Sequence, residues 1–385
     1  MNKTTKLLAT SIALASLPAT AANYAIEARG DAMGGVGVVS ANFLTAPFYN
    51  PALVAIYRRN DDLGMITPSF GVNYNDPNNL VDDVDSLVDK ISDGSVTNSD
   101  IAALDGDKLK VDIGGVVAFA LPNQYVAANI FGKAYTESFV TPDTYTGNAN
   151  DVVNAELTAV KAVSIGIAET GISLAKYQTF LGQHFSFGVS PKLQRIYTYN
   201  YIASASNYDL SDVRENETAE TTFNIDAGAL WFYGPFRVGF SATNIIDRDI
   251  DTKAVTQTIT STTNPGASRV VTSNHSYKLG PVYTIGAGVV ADYFTLSVDY
   301  DINEAEKFTS FDDNEQMIRV GTEVDILRQL KLRGGYYKNL AYSDSEGTVT
   351  AGIGLSPLNL FQLDISANYT NENAMGASIN FLASY

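Results

Sequence analysis

The chain has 385 residues, no cysteine and a formal net charge of −17. The acidic excess argues against a nucleic-acid-binding protein, because neutralising phosphates requires a surplus of Lys and Arg. The absence of cysteine excludes a disulfide scaffold and a thiolate metal site. Charged residues make up 17% of the chain and hydrophobic residues 45%, yet no window after the N-terminus holds about 18 consecutive apolar residues. This composition favours a membrane β-barrel, in which every second residue faces lipid.

Residues 1–22 have the pattern of a secretory signal peptide. Lys3 and Lys6 precede a short apolar stretch at 7–17, and Ala19-Thr20-Ala21 forms an Ala-x-Ala cleavage signature. We therefore expect cleavage near residue 22, export through the inner membrane and a final location in the outer membrane of a Gram-negative bacterium.

Apolar and polar residues alternate with a period of two over most of the remaining chain, as in strands with one apolar and one polar face. In 294–300, for example, the even positions are apolar and the odd positions polar. Alternation of this kind predicts an all-β fold, a transmembrane antiparallel barrel of about fourteen strands. The predicted strands are 63–75, 108–121, 124–140, 156–176, 183–203, 219–233, 236–258, 270–291, 293–303, 315–325, 329–338, 347–356, 360–370 and 374–385.

The connections between these strands alternate in length. Short connections lie at 122–123, 177–182, 234–235, 292, 326–328 and 357–359, and long ones at 76–107, 141–155, 204–218, 259–269, 304–314 and 339–346. Outer-membrane barrels have short periplasmic turns and longer outer loops, so the alternation predicts which end of the barrel faces the periplasm. The last strand ends on the aromatic residue Tyr385, which resembles the terminal strand of such barrels.

The loop at 76–107 carries nine Asp residues and a single Lys at 90 in its acidic part. Apolar residues at 80, 84, 87, 88 and 91 recur at helical spacing, which predicts an amphipathic helix with an acidic face. One interpretation is divalent-cation binding or a lid over the outer mouth. The interpretation that we favour is a solvated helix capping the barrel, because a run of charges is usually a solvated face.

Residues 23–60, between the signal peptide and the first strand, are rich in Gly and Ala. Glycines at 30, 34, 35 and 37 do not form a phosphate loop, since no Gly-Lys-Ser/Thr follows them. The stretch from Ala28 to Gly35, followed by Phe48-Tyr49-Asn50-Pro51-Ala52, resembles the start of the FadL-like superfamily of outer-membrane barrels. Together with Pro68-Ser69-Phe70 and the acidic helix, it is similar in particular to the family of plasmid conjugal transfer protein TraF. A different protein that is also called TraF has a thioredoxin-like fold. The present chain does not resemble it, because it has no cysteine and no βαβ pattern.

The resemblance implies fourteen strands and an N-terminal hatch, or plug, that fills the lumen. Residues 23–60 would form this plug, with Asn50, Pro51 and Ala52 in its motif, and residues 61–385 the barrel. A simple turn before the first strand is the alternative interpretation of Asn50-Pro51-Ala52.

Assigning the apolar faces to lipid places many charged side chains in the lumen. This polar lining departs from the apolar pockets in which fatty-acid channels hold their ligands, and it suits hydrated solutes or a plug held by ion pairs. A turn at 326–328 would place Glu323 opposite Lys331, as a cross-strand charge pair. The residues expected to point inward are Asp226, Arg237, Lys278, Asp299, Asp301, Arg319, Glu323, Asp325, Lys331, Arg333 and Asp364.

The sequence predicts no catalytic, cofactor or metal site. The two histidines, His184 and His275, have no Ser and Asp neighbours at a meaningful spacing, so we expect no enzymatic activity. The calcium-loop-like patterns at 247–251 and 299–303 lack the Gly that the sharp turn of such a loop requires.

Three functions remain open from the sequence. The first is a FadL-like passive channel or transporter for small or hydrophobic molecules. The second is a structural or assembly component of a conjugation or secretion envelope complex, and the third is a surface receptor or adhesin. The expected partners are outer-membrane lipid and lipopolysaccharide, the barrel-assembly machinery, and a hydrophobic small molecule or envelope-complex proteins, without nucleic acid.

Overall fold

Alternating side chains fold most of the chain into long antiparallel strands, and the polar residues of these strands face inward. In the computed structural model, Leu296 and Val298 are exposed whereas Ser297 and Asp299, on the other face, are 0% and 2% exposed. This arrangement is the reverse of a soluble β-protein, and it is the one required of a wall between lipid and a polar lumen. The structure describes residues 27–57, 63–204, 216–311, 313–343, 345–357 and 361–384. The predicted signal peptide lies outside the described residues, as does Tyr385.

Fourteen wall positions close into a single antiparallel barrel, which confirms the predicted fold class. The first position is formed by β1 (Gly64–Ile66) and β2 (Phe70–Asn75), which both pair with the second and the last strands of the wall. The other wall strands are β3 (Leu109–Leu121), β4 (Ala127–Asp143), β5 (Ala159–Phe180), β6 (Gln183–Ser204), β7 (Thr218–Tyr233), β8 (Phe236–Thr243), β13 (Val282–Val290), β14 (Phe294–Asp301), β15 (Met317–Ile326), β16 (Leu330–Asn339), β17 (Gly347–Leu355), β18 (Phe361–Asn371) and β19 (Ala374–Ser384).

The chain between β8 and β13 leaves the wall and forms an outer extension. It contains β9 (Arg248–Asp251), β10 (Val255–Thr260), β11 (Ser268–Ser273) and β12 (Ser276–Leu279). In this extension β9 pairs with β12 and β10 with β11. The predicted strands 236–258 and 270–291 were therefore too long, because only 236–243 and 282–290 belong to the wall. These parts lie next to short turns, at the end that is expected to face the periplasm and is called the periplasmic end below.

The described residues also contain four α-helices, α1 (Ala28–Ala32), α2 (Leu80–Asp93), α3 (Asn98–Ala103) and α4 (Asp151–Leu157), and two short 3₁₀ helices, Ala46–Phe48 and Pro51–Ala55. None of them has the length and the apolar character needed to cross a membrane. The predicted acidic helix is α2. Its apolar side chains, including Leu80, Val84 and Leu87, are buried against the outer parts of the wall and against α3 and α4. Asp76 caps it by accepting hydrogen bonds from the amides of Leu80 and Val81.

The two ends of the barrel differ in the length of their connections. Tight turns lie at one end, such as Leu181-Gly182 between β5 and β6, where both residues have positive φ angles as a two-residue hairpin requires. Helices α2, α3 and α4 and the outer extension lie at the other end. β5 and β6 have 22 residues each, about twice what a membrane crossing needs, and their outer halves form a rim on which the helices pack.

Candidate functional site

The N-terminal segment, residues 27–57, lies inside the barrel and contacts wall strands on all sides. The carbonyl oxygens of Ala32 and Ala52 accept hydrogen bonds from Thr350 of β17 and Ser186 of β6. The amides of Gly37 and Val38 donate to Asp299 of β14, at 2.7 and 3.0 Å. Since β6, β14 and β17 are well separated around the wall, the segment crosses the lumen.

A chain of alternating charges anchors α1 to the wall. Arg29 makes a two-pronged contact with Glu323 of β15, with both nitrogen–oxygen distances 3.1 Å. Glu323 also contacts Arg333 of β16 at 2.6 Å, and Arg333 contacts Asp364 of β18 at 2.6 Å. The side chains of Arg333 and Asp364 are fully buried. Removing one member of this row of ion pairs leaves a buried charge without its partner, so the ion pairs fix the position of α1.

The predicted pairing of Glu323 with Lys331 is wrong by two residues. In the β15–β16 ladder Glu323 lies opposite Arg333, and Lys331 lies opposite Asp325. Lys331 donates instead to the side chain of Gln362. The cause is the turn, in which Leu327 and Arg328 both adopt positive φ and β16 begins only at Leu330.

One residue that was predicted to face the lumen lies outside it. Lys278 belongs to β12 in the outer extension, where it forms an exposed ion pair with Glu306. Asp226 forms a second buried network on the opposite side of the barrel, in which Lys192 contacts both Asp226 at 2.9 Å and Glu169 at 3.0 Å.

Asn50, Pro51 and Ala52 are buried where the N-terminal segment meets β6 and β7. The Asn50 side chain accepts from the Ala52 amide at 3.0 Å and donates to the carbonyl oxygens of Val38 and Ala229. It thereby caps the short 3₁₀ helix Pro51–Ala55 and ties it to the wall.

Wall glycines make room for the segment, and these residues were missed in the sequence. A Cβ atom at Gly188 would lie 2.3 Å from the Pro51 carbonyl carbon. One at Gly335 would lie 2.3 Å from the amide nitrogen of Gly34, and one at Gly321 would lie 2.1 Å from the Met33 oxygen. Glycine inside a predicted strand is the signal that could have found them, because it often marks a close backbone approach.

Two cavities of several hundred Å³ lie in the lumen, one on each side of α1. The outer cavity, about 550 Å³, opens between the long loops and is lined by Asp31 and, among others, Tyr74, Lys110 and Asn314. The inner cavity, about 450 Å³, opens at the periplasmic turns and is lined by Arg29. Because Arg29 and Asp31 belong to the same five-residue helix, α1 is the partition between the two cavities.

Neither histidine is arranged for catalysis in the part of the chain that the structure describes. His184 lies beside a periplasmic turn, where it stacks on Tyr177 and Phe232. His275 lies in the outer extension and hydrogen bonds with Ser273 and Ser310. Neither imidazole contacts a carboxylate that would orient it as a general base.

Comparison with known proteins identifies the family. The model of a family described as "F plasmid transfer operon, TraF, protein" matches residues 47–301. The chain belongs to this family. The match runs from the middle of the N-terminal segment to β14 and so includes Asn50-Pro51-Ala52. No curated protein sequence matches the chain.

Solved structures share the fold across almost the whole chain. The deltaS2S3 mutant of the monoaromatic hydrocarbon channel TodX superposes with a TM-score of 0.59 at 11% identity, covering 94% of this chain and 98% of that one. The toluene transporter TbuX of Ralstonia pickettii gives 0.54 at 10% identity, with 94% and 97% covered. A FadL homologue of Pseudomonas aeruginosa gives 0.55 at 10% identity, with 96% and 99% covered. The fold is therefore that of the FadL-like outer-membrane barrels, as the N-terminal motif indicated.

Proposed function

We propose that the protein is a passive outer-membrane channel for small, largely hydrophobic molecules, that the N-terminal segment closes it in this conformation, and that it has no enzymatic activity. The observation that carries the proposal is the partition of the lumen by α1. Two cavities, each open to one side of the membrane, are separated by α1. This helix is not part of the barrel wall, and side-chain contacts hold it in place.

The barrel is wide enough for such a role. Eight strands enclose an interior that side chains alone just fill, and the diameter grows roughly in proportion to strand number. With fourteen wall strands, the interior holds a segment of about thirty residues and still leaves both cavities. The similar structures are named as hydrocarbon channels and toluene transporters, which supports hydrophobic molecules as the transported class.

The proposal includes a processed N-terminus. Residues 1–22 would be removed as a signal peptide during export, and residues 23–60 would then fold into the lumen as the barrel forms in contact with the barrel-assembly machinery. Outer-membrane lipid and lipopolysaccharide would surround the exposed apolar belt.

Family membership favours a second candidate function, a component of a conjugative envelope complex. In this case the N-terminal segment would be a permanent filling of the barrel, and the outer loops or periplasmic turns would contact other envelope proteins. The two candidates differ in whether the lumen conducts.

Single-channel conductance in planar bilayers separates them. We would compare the wild type with a deletion of 27–45, which removes α1 and the contacts to Glu323 and Asp299. The matched control is a deletion of 255–273, a segment of equal length in the outer extension that contains β10 and β11. The channel proposal expects the first deletion to raise conductance several-fold and the control to leave it unchanged.

Equal, low conductance of all three proteins, each shown by circular dichroism to be folded, would contradict the channel proposal. Transport of hydrophobic molecules is then tested directly, by the rate at which lipid vesicles containing each protein take up toluene.

A further inference from the structure

We infer that the outer cavity binds organic cations, molecules with an ammonium head and an apolar body. The inference rests on the proposed function in placing this cavity on the entry path, and it narrows the class of molecule that enters. It is drawn from the charges, the unpaired oxygens and the aromatic rings of the cavity.

A buried charge cluster at the cavity has more carboxylates than ammonium groups. Lys110 lies 3.5 Å from Asp112, 3.8 Å from Glu137 and 3.7 Å from Glu315. Lys307 contacts Glu137 at 2.5 Å and Glu315 at 2.7 Å. These two cations are therefore shared among three carboxylates.

Asp313 is a fourth carboxylate in the same cluster, and among the described residues no cation other than Lys307 and Lys110 acts on it. The charges of Lys307, Glu137 and Lys110 act on this carboxyl group. Its side chain lines the outer cavity together with those of Asp112 and Glu315. At pH 8, where Asp313 is mostly ionised, four carboxylates with two ammonium groups leave two negative charges in excess. Buried charge without a counter-charge is unfavourable, so this cluster favours an additional positive group.

Two of these carboxylates have an oxygen without a partner. Asp112 and Asp313 are each 8% exposed. Within the described residues, no hydrogen-bond donor reaches Oδ1 of either side chain, whereas the other Asp313 oxygen accepts from the Phe308 amide. A buried carboxylate oxygen that lacks a donor in the protein is an acceptor available to a ligand.

The aromatic rings of the cavity select an organic cation over a metal ion. Phe139 lines the cavity and already holds a cation, since Lys110 Nζ lies 5.5 Å from its ring centroid. Tyr74, Tyr337 and Tyr342 line the same space, and aromatic faces attract ammonium groups. Among the described residues, no group of three or more Asp, Glu or His side chains is arranged to hold a metal ion.

Binding should depend on pH through Asp313. Burial raises the pKa of this carboxyl to about 7, with Glu137 acting in the same direction and Lys307 and Lys110 against it. A cation binds the ionised carboxylate better than the neutral acid, so affinity should rise as the pH increases from 6 to 8. Asp112 and Glu315 also face the cluster and add to the same negative field.

Isothermal titration calorimetry of the full-length protein in detergent at pH 8 tests the inference. The probes are choline and its neutral carbon analogue, 3,3-dimethylbutan-1-ol, which has the same shape without the charge. We expect choline to bind about tenfold more tightly than the analogue. Asp313→Asn and Asp112→Asn should each weaken choline several-fold and leave the analogue unchanged.

Glu306→Gln is the matched control, because it removes one negative charge from the outer surface at an exposed ion pair outside the cavity. It should leave choline affinity unchanged. Equal affinities for choline and the analogue on the wild type overturn the inference, without requiring any variant to fold. Equal losses with Glu306→Gln and Asp313→Asn overturn it as well, since they would show only a general surface field. Neither result bears on channel conductance, which is measured separately on the deletion variant.

Discussion

The outer and inner cavities lie on opposite sides of the same short helix and carry opposite charge. The outer cavity has a surplus of carboxylates, around Asp112, Asp313 and Glu315. The inner cavity is lined by four cations and three carboxylates, which leaves one positive charge in excess. Two of its cations, Arg237 and Lys331, form no ion pair with any residue that the structure describes. The N-terminal segment therefore separates two compartments of the lumen that differ in charge.

The anchoring of α1 explains how this difference is maintained. Arg29 faces the inner cavity and Asp31 the outer one. Each joins a polar contact with the wall, Arg29 with Glu323 at 3.1 Å and Asp31 with Ser378 at 2.6 Å. A helix of five residues has little stability of its own. The position of α1 thus depends on its contacts with the wall. Substitutions in the wall therefore test whether α1 keeps the two cavities apart.

The largest effect is expected from Arg333→Met. Arg333 is fully buried between Glu323 and Asp364, and its loss leaves both carboxylates without this partner. We expect the free energy of unfolding to fall by about 3–5 kcal/mol, measured by urea unfolding in detergent micelles. Lys278→Met is the control, because it breaks an exposed ion pair with Glu306 and should change stability by less than about 1 kcal/mol. Similar losses in both variants would show that the buried chain of charges does not anchor the partition.

The next effect is a change in opening on substitution of one wall glycine. A Cβ atom at Gly335 would lie 2.3 Å from both the Gly34 nitrogen and the Met33 carbonyl carbon. Overpacking of this kind costs about 1–3 kcal/mol, so Gly335→Ala should displace the segment and raise the fraction of open time in bilayers about tenfold. Gly334→Ala is the neighbouring control, since its nearest contact would be 3.8 Å away. Should both variants open to the same extent, the close approach of segment and wall would not determine closure.

The sequence pattern predicted most of the strands of the wall and the direction in which their side chains face. It did not predict which strands lie outside the wall or the register of every strand pair. Period-two alternation predicts which residues face lipid, and it placed Asp226, Asp299 and Asp364 inward. It does not tell a wall strand from a strand of the outer extension, because β10 and β11 also alternate but pair with each other. Register was missed at Lys331 because two non-glycine residues of the turn adopt positive φ, and turn geometry sets register.

The charge clusters could not be predicted from sequence patterns, because their members are far apart in the sequence. Lys307 and Glu137 are 170 positions apart, and Arg29 and Glu323 are 294 apart. Contacts at such separations come from closure of the barrel and from the path of the N-terminal segment within it, and no local periodicity encodes either. The resemblance of Asn50-Pro51-Ala52 to a hatch motif indicated that the N-terminal segment lies in the lumen, but it did not predict which wall residues the segment contacts.

The charge difference between the cavities predicts an effect on ion selectivity. In the 27–45 deletion, where both cavities should join into one pore, Asp112→Asn with Asp313→Asn should lower the preference for cations. Arg237→Gln with Lys331→Gln should raise it. We expect changes in the permeability ratio of about twofold, because rings of charge tune selectivity in wide pores. Reversal potentials in a potassium chloride gradient measure both changes, and shifts of the same sign would show that the two cavities do not differ in charge.

The smallest effect is on the pH dependence of stability, and it isolates one residue of the outer cavity. Burial raises the pKa of Asp313 to about 7, above the value of about 3.9 expected in an unfolded chain. Between these values the folded protein holds a proton that the unfolded chain has released, so stability falls as the pH rises from about 4 to 7. An Asn at this position cannot ionise, but its side-chain oxygen still accepts from the Phe308 amide. Asp313→Asn should therefore match the wild type at pH 4 and be more stable at pH 8, by on the order of 1 kcal/mol. Urea unfolding at both pH values, without any added organic cation, measures the difference. Glu306→Gln reports the general effect of removing one negative charge, and a gain at pH 8 no larger than this control would mean that Asp313 is not held in a buried, proton-retaining environment.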